Sequence, residues 1–246
     1  MLKASVLVAI GLLCAGTALA EEGEIRLLES GTDIKSIESL QRGARNFMNY
    51  CSGCHSLKYL RYNRLAADLK IPEPEVVKNL IFTTAKPFEE INTAMPADST
   101  DWFGKPPPDL TLMARERGVD YIYSYLHGFY QDKTRPWGVN NLYLSGTAMP
   151  HVLSSLQGSQ IPVYKNEKDA HGSAKMVLVN VKEMTPGSMK PEEYDQFVRD
   201  IANFLDYAAE PIKATRQSMG IFVMLFLLVF FVFAYQLKKE YWKDVH

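Results

Sequence analysis

The segment Cys51-Ser52-Gly53-Cys54-His55 has the residue types and the spacing of a covalent haem c site. Two thiols can form thioethers with the two vinyl groups of one porphyrin, and the adjacent imidazole can then bind the iron. Positions i, i+3 and i+4 of a helical turn share one side, which places Cys51, Cys54 and His55 together. The motif predicts one covalently attached haem c, bound through Cys51 and Cys54, with His55 as an iron ligand.

Other interpretations of the motif are a zinc half-site, a redox dithiol and chance. A structural zinc site needs about four Cys or His ligands in matched pairs, and the sequence offers no second pair. A thioredoxin-like dithiol belongs to a βαβ context, which the surrounding residues do not indicate.

Residues 1–20 have the pattern of a secretory signal peptide. Lys3 provides the positive start, residues 6–13 are apolar, and an A-x-A cleavage site ends at Ala20. An N-terminal membrane anchor is the alternative, which the shortness of the apolar run disfavours. Cleavage would remove Cys14, so the mature chain would keep only the two cysteines of the haem motif and form no disulfide.

Residues 217–237 carry no charge and are predicted to form a transmembrane helix. At about 1.5 Å per residue this length approaches the roughly 30 Å hydrocarbon core of a bilayer. A buried core helix is the alternative, but an all-round apolar helix has no polar side for a protein surface. Lys238 and Lys239 favour a cytoplasmic tail over residues 238–246. We therefore expect a single-pass protein of the bacterial inner membrane, with residues 21–212 as a periplasmic domain.

The charge composition disfavours a nucleic-acid partner. The chain has 27 Lys and Arg against 28 Asp and Glu, a net charge of −1, and no basic stripe. Acidic residues cluster at residues 21–24, 73–75, 89–90 and 98–101. These clusters are either solvated loops or a docking surface for a basic soluble partner.

The predicted fold class is a mainly α c-type cytochrome domain with loop insertions plus one C-terminal transmembrane helix. Apolar spacing predicts a helix over residues 34–50 that leads into the haem motif, and Gly43 would let another helix approach closely. A second long helix is expected from Pro191 to Ala209. Residues 71–108 read as a long loop insertion with short helical pieces.

Shorter elements are expected between these helices. Asp109 and Asp120 are predicted to cap two short helices. Residues 131–150 are predicted to be loop, and residues 174–184 a strand or hairpin piece.

Haem iron needs a sixth ligand or an open site, and an open site would indicate gas binding or catalysis. The candidates are Met95, Met149, His127, His151 and His171. Met149 is favoured by its position in a loop before the closing helix. Met95 shares the local sequence Thr-Ala-Met-Pro but lies inside the acidic insertion.

Taken together, the mature chain resembles the cytochrome c1 family over nearly its whole length. The residues that carry this resemblance are the haem motif with Tyr59 and Tyr62, residues 107–110, residues 115–118, Asp120-Tyr121, Met149, and residues 204–211 leading into Met219-Gly220. Residues 71–105 form a shorter, different insertion than in the best-known members, so partner contacts there stay open.

The resemblance implies a haem subunit of the cytochrome bc1 complex, the ubiquinol–cytochrome c reductase of the respiratory chain. Electrons would arrive from the Rieske iron–sulfur protein and leave to a soluble cytochrome c. Cytochrome b would be a neighbour in a dimeric complex, and the chain would have no catalytic site of its own. The resemblance also implies Met149 as the iron ligand, Arg115 as support for a haem propionate and Pro108 as a residue packed near the haem.

Two other functions remain open from the residues alone. One is a different membrane-anchored electron carrier, which the C-terminal position of the anchor disfavours. The other is a haem enzyme or sensor with an open iron site, which carbon monoxide binding would reveal.

Overall fold

A computed structural model describes residues 25–93, 95–96, 98–168 and 174–243. The predicted signal peptide and His171 lie outside the described residues. The helices are α1 (Ile37–Tyr50), α2 (Tyr62–Asp68), α3 (Glu73–Asn79), α4 (Ser99–Phe103), α5 (Met113–Glu116), α6 (Val119–His127), α7 (Ser154–Gln157), α8 (Pro191–Ala209) and α9 (Lys213–Tyr241). The strands are β1 (Leu57–Arg61), β2 (Glu90–Ile91), β3 (Phe129–Gln131), β4 (Val139–Asn141), β5 (Gly158–Lys168) and β6 (Ala174–Pro186).

The core of the domain is centred on the contact between α1 and α8. A Cβ atom at Gly43 would lie 2.1 Å from the Asp200 carbonyl oxygen and 2.7 Å from the Phe204 Cβ. Only glycine therefore permits this approach of the two helices. Beside it, the fully buried rings of Phe47 and Phe204 lie 5.7 Å apart. The close approach of another helix predicted at Gly43 is confirmed, and that helix is α8.

A buried polar cluster fixes the register of α1 on α8. The Asp200 side chain is 2 % exposed and accepts hydrogen bonds from Ser39 Oγ at 2.7 Å, Arg42 Nε at 2.6 Å and Gln196 Nε2 at 2.9 Å. Ser39 and Arg42 lie on α1, so sliding one helix along the other would break their bonds to Asp200. A buried carboxylate is costly unless it is fully paired.

The remaining elements are short. β1–β2, β3–β4 and β5–β6 form separate two-stranded antiparallel sheets. β6 confirms the strand predicted near residues 174–184, whereas its partner β5 was not predicted. The predicted loop over residues 131–150 is partly wrong, because β4 lies within it. The helical core and small sheets confirm the predicted fold class.

Helix α9 is longer than the predicted span of residues 217–237, and none of its residues is buried in the described chain. It is long and apolar enough to cross a membrane. Its junction with α8 is held by an ion pair between Lys213 Nζ and the Asp206 carboxylate at 2.7 Å and by a second pair between Arg216 and Glu210. These pairs connect the anchor to the core of the domain.

Candidate haem site

The haem motif continues α1 by one further turn. The amides of Cys54 and His55 donate to the Cys51 carbonyl at 3.0 Å and 2.8 Å. Both thiols are free and half-buried, and His55 is 8 % exposed. These two backbone bonds keep both cysteines and the histidine within one turn, as the spacing of the motif predicts.

The His55 ring is oriented by a backbone carbonyl. Its Nδ1 lies 2.8 Å from the Pro108 oxygen. Because a carbonyl can only accept, Nδ1 carries the proton and Nε2 is the free lone pair. Burial lowers the pKa of His55, and this outweighs the opposite effects of the Pro108 carbonyl and the Asp109 charge. The imidazole is therefore neutral, which is the form that binds iron.

The segment that supplies this carbonyl is tied to the chain after the motif. The Leu110 amide donates to the Ser56 carbonyl at 2.9 Å, and the Lys58 amide donates to Asp109 Oδ2 at 2.9 Å. Asp109 thus holds Pro108 beside His55, and the prediction that it caps a helix is wrong. The structure places the Pro108 carbonyl next to the proposed iron ligand, a role that no sequence pattern indicates.

Thr93 is a further residue at the motif that sequence reasoning missed. Its hydroxyl donates to the Gly53 carbonyl at 2.8 Å, and its amide donates to Ser56 Oγ at 2.9 Å. The Met95 amide in turn donates to the Thr93 hydroxyl at 3.0 Å. The insertion therefore folds back onto the haem turn.

The two cysteines do not have the electrostatics of a reactive dithiol. Burial raises the pKa of Cys51 to about 12 and also raises the pKa of Cys54. Redox-active C-x-x-C motifs have a lowered thiol pKa. This observation disfavours the redox-dithiol interpretation.

The candidates for the second iron ligand have different surroundings. Met149 is half-buried in the segment between β4 and α7. The His127 ring lies against Tyr123 at 4.6 Å and Tyr194 at 5.2 Å. The His151 ring is stacked on Phe129 at 4.7 Å. Both histidines are packed among aromatic rings, and burial lowers the pKa of each to about 4.

Arg115 lies on the exposed surface in the last turn of α5. The pKa of Glu210 is lowered first by its hydrogen bonds with Arg216 and more weakly by the charge of Arg115. Nearby, the Arg117 guanidinium lies 5.6 Å from the centre of the Tyr121 ring. The expectation that Arg115 supports a propionate stays a prediction.

The motif residues fit a haem c. Two unpaired thiols lie on one turn, and a neutral imidazole presents Nε2 while its Nδ1 is bonded to Pro108. Cys51 and Cys54 would hold the porphyrin and His55 would bind its iron. A haem in this site would supply an iron that exchanges one electron at a time.

The comparisons with known proteins agree with this chemistry. The sequence profile described as the Cytochrome C1 family matches residues 32–245. The chain is 50 % identical to cytochrome c1 of Allochromatium vinosum, over 98 % of this chain and 99 % of that one. It is 40 % identical to the ammonia monooxygenase gamma subunit of Nitrosomonas europaea, over 96 % and 95 %. It is 24 % identical to cytochrome b/c1 of Bradyrhizobium diazoefficiens, over 85 % of this chain and 33 % of that one. The chain belongs to the cytochrome c1 family, the haem subunits of bc1 complexes.

Proposed function

We propose that this chain carries electrons through one covalently attached haem c, from a Rieske iron–sulfur protein to a soluble cytochrome c, within a bc1 complex. The observation that supports this most is the bond between His55 Nδ1 and the Pro108 carbonyl. That bond orients a neutral imidazole beside two free thiols in a member of the cytochrome c1 family.

His55 and Met149 are the residues proposed to hold the iron. If both bind it in both oxidation states, electron transfer would need little rearrangement. A thioether ligand also raises the reduction potential. The Pro108 carbonyl increases the basicity of His55 through its Nδ1 proton, which strengthens the histidine as a ligand.

Two further residues are proposed to act at the edge of the haem. Pro108 would pack close to the porphyrin, since its carbonyl already contacts His55. Arg115 is exposed and would offset the negative charge of a propionate.

Cytochrome b and the Rieske protein are the proposed membrane partners. The Bradyrhizobium relative is named cytochrome b/c1, which supports a physical association of the two functions. Helix α9 would hold the haem domain at the membrane and raise its effective concentration for these partners. The complex is proposed to be dimeric.

The proposed acceptor is a soluble basic c-type cytochrome. The insertion exposes the carboxylates of Glu73, Glu75, Asp98 and Asp101. Charges at the rim of an interface act mainly on the association rate. A rate of electron transfer that falls steeply with added salt would support this docking surface.

The proposed location is the bacterial inner membrane, crossed once by residues 217–237. Residues 1–20 would be removed as a signal peptide, residues 21–212 would lie in the periplasm, and residues 238–246 would lie in the cytoplasm. The Lys residues beyond the end of the span support this orientation.

Copurification tests the proposed function. The full-length chain with a C-terminal affinity tag is extracted from its native membrane with a mild detergent, and the bound chains are identified by mass spectrometry. We expect cytochrome b and a Rieske protein, together with a c-type optical spectrum. Recovery of ammonia monooxygenase subunits instead would assign the chain to the complex after which the Nitrosomonas relative is named. Recovery without any haem protein partner would contradict the bc1 assignment.

A further inference from the structure

We propose that Tyr125 is a positioning residue that holds the Met149 segment in place through a hydrogen bond to Thr147. This inference rests on the proposed role of Met149 as an iron ligand. It assigns to Tyr125 and Thr147 a part in keeping that ligand on the iron.

The bond between these residues joins α6 to the segment that carries Met149. The Tyr125 hydroxyl lies 2.7 Å from Thr147 Oγ1, and Thr147 is 5 % exposed. Thr147 is two residues before Met149. Burial raises the pKa of Tyr125 to about 12, so its hydroxyl keeps its proton and can donate.

Gly146, the residue before Thr147, is held through both its amide and its carbonyl. The Gly146 amide donates to Asn140 Oδ1 at 2.8 Å, and its carbonyl accepts from Arg135 Nη2 at 2.9 Å. Gly146 has a φ of +77°, which favours glycine at this turn. Asn141 adds a link to α6, because its Nδ2 donates to the Tyr125 carbonyl at 2.7 Å.

The chain after Met149 is held by a ring stack. The His151 ring lies 4.7 Å from Phe129 with an angle of 4° between the planes. Phe129 also packs edge-on against Tyr125 at 5.2 Å. Residues 148–150 therefore lie between Thr147, which is bonded to Tyr125, and His151, which is stacked on Phe129. An ordered segment loses less conformational entropy when its side chain binds a metal.

The threonines of the two Thr-Ala-Met-Pro copies have different hydrogen-bond partners. Thr93 of the first copy donates to the Gly53 carbonyl and holds the haem turn. Thr147 of the second copy pairs with Tyr125 instead. Loss of either hydroxyl at Tyr125 or Thr147 leaves the other buried without its partner and releases the segment before Met149.

The test uses the full-length holoprotein in detergent, with the variants Tyr125→Phe, Thr147→Val and the double variant. The measured quantity is the rate at which carbon monoxide binds the reduced protein, because this rate reports how often methionine leaves the iron. We expect each single variant to bind about three to ten times faster, the range set by one net hydrogen bond. The double variant should resemble the single variants, since all three lose the same bond.

Tyr123→Phe is the matched control. Tyr123 lies on the same helix and its hydroxyl bonds Asp195 of α8. This variant should lower the melting temperature without changing carbon monoxide binding. If Tyr125→Phe also lowers only the melting temperature, Tyr125 is merely structural and the positioning role is overturned.

Met149→Leu separates this inference from the proposed function. If Met149→Leu opens the iron to carbon monoxide and Tyr125→Phe does not, the positioning role alone fails. If Met149→Leu leaves carbon monoxide binding unchanged, Met149 is not the ligand, and both the ligand assignment and the positioning role are overturned.

Discussion

The two sides of the proposed haem site are built in different ways. On the imidazole side, five contiguous residues extend α1, and a single carbonyl from Pro108 orients His55. On the methionine side, Met149 lies in the segment between β4 and α7. Side chains from α6, β3 and β4 hold that segment. The first side derives its rigidity from a helix packed in the core, and the second from side-chain contacts that join its segment to α6, β3 and β4.

This difference indicates which side of the site can open without unfolding of the whole domain. Displacing the imidazole side requires a shift of α1 against α8, where Gly43 and the buried Asp200 cluster leave no space. Displacing the methionine side requires the loss of only a few hydrogen bonds and one ring stack. Local opening is easiest where few buried apolar contacts hold the chain. We therefore expect the iron to exchange its methionine long before it loses its histidine.

The largest expected effect is on the imidazole side. Cys51→Ser removes one thioether, so we expect the chain to lose or weaken its haem attachment. The measurement is haem staining of the denatured chain together with its pyridine haemochrome spectrum. A variant with normal staining and a normal spectrum would show that Cys51 does not bind the porphyrin.

The next largest effect is expected on the methionine side. Met149→Leu should leave the haem covalently attached but lower the reduction potential, on the order of 0.1 V, because axial ligands tune haem potentials over roughly 0.8 V. An optical redox titration measures the shift, and the pyridine haemochrome spectrum confirms attachment. Met95→Leu is the matched control and should leave the potential unchanged. If Met95→Leu shifts the potential and Met149→Leu does not, the ligand assignment is reversed.

Gly43→Ala tests the rigidity of the helical side. Its Cβ would lie 2.1 Å from the Asp200 carbonyl oxygen, so α1 must move away from α8. Overpacking of this kind costs about 3 kcal/mol of unfolding free energy. Chemical denaturation of the holoprotein measures the loss. Gly53→Ala is the control, because apart from Gly53 itself and its chain neighbours no described atom lies within 4 Å of the added Cβ, and its cost should stay below about 0.5 kcal/mol. Equal losses in the two variants would contradict the close packing of α1 on α8.

The smallest effect concerns α6, which carries Tyr125. Burial lowers the pKa of His127 to about 4, and Asp195 at 3.8 Å raises it less, since Asp195 already pairs with Arg199. The folded protein therefore binds fewer protons than the unfolded chain between about pH 4 and the unperturbed histidine value of about 6.5. Stability from this residue is present above that window and is lost progressively as the pH falls through it.

His127→Phe checks this pH dependence. The unfolding free energy of the variant, compared with that of the native chain from pH 7 to pH 4, should fall less steeply. An equal slope in both proteins would show that folding does not shift the pKa of His127.

The sequence predicted the parts of the molecule that local patterns encode. The haem motif is contiguous, α8 begins at Pro191 and ends at Ala209 as its start signal and apolar stripe indicate, and Gly43 lies where two helices meet. The same local reasoning was wrong for Asp120. It does not cap α6, and its carboxylate accepts from the Ser30 amide and hydroxyl, ninety residues away.

The contacts that organise the site escaped prediction for this physical reason. The Pro108 carbonyl, Thr93 and Asn140 act through partners that are distant in sequence or through backbone atoms that every residue has. Their residue types are common in loops, so no pattern separates them from solvated neighbours. His127 and His151 are the opposite case, in which the residue type suggests a role that the fold does not favour. In the sequence each histidine is a candidate ligand, whereas in the fold each ring packs against an aromatic ring.

The most direct test of the account is the optical spectrum of the reduced full-length protein, recorded before and after addition of carbon monoxide. We predict a c-type spectrum that changes only slowly on addition of carbon monoxide, because His55 and Met149 would both bind the iron. A colourless protein would contradict haem attachment, and rapid conversion to a carbon monoxide complex would contradict the closed iron site on which electron transfer depends.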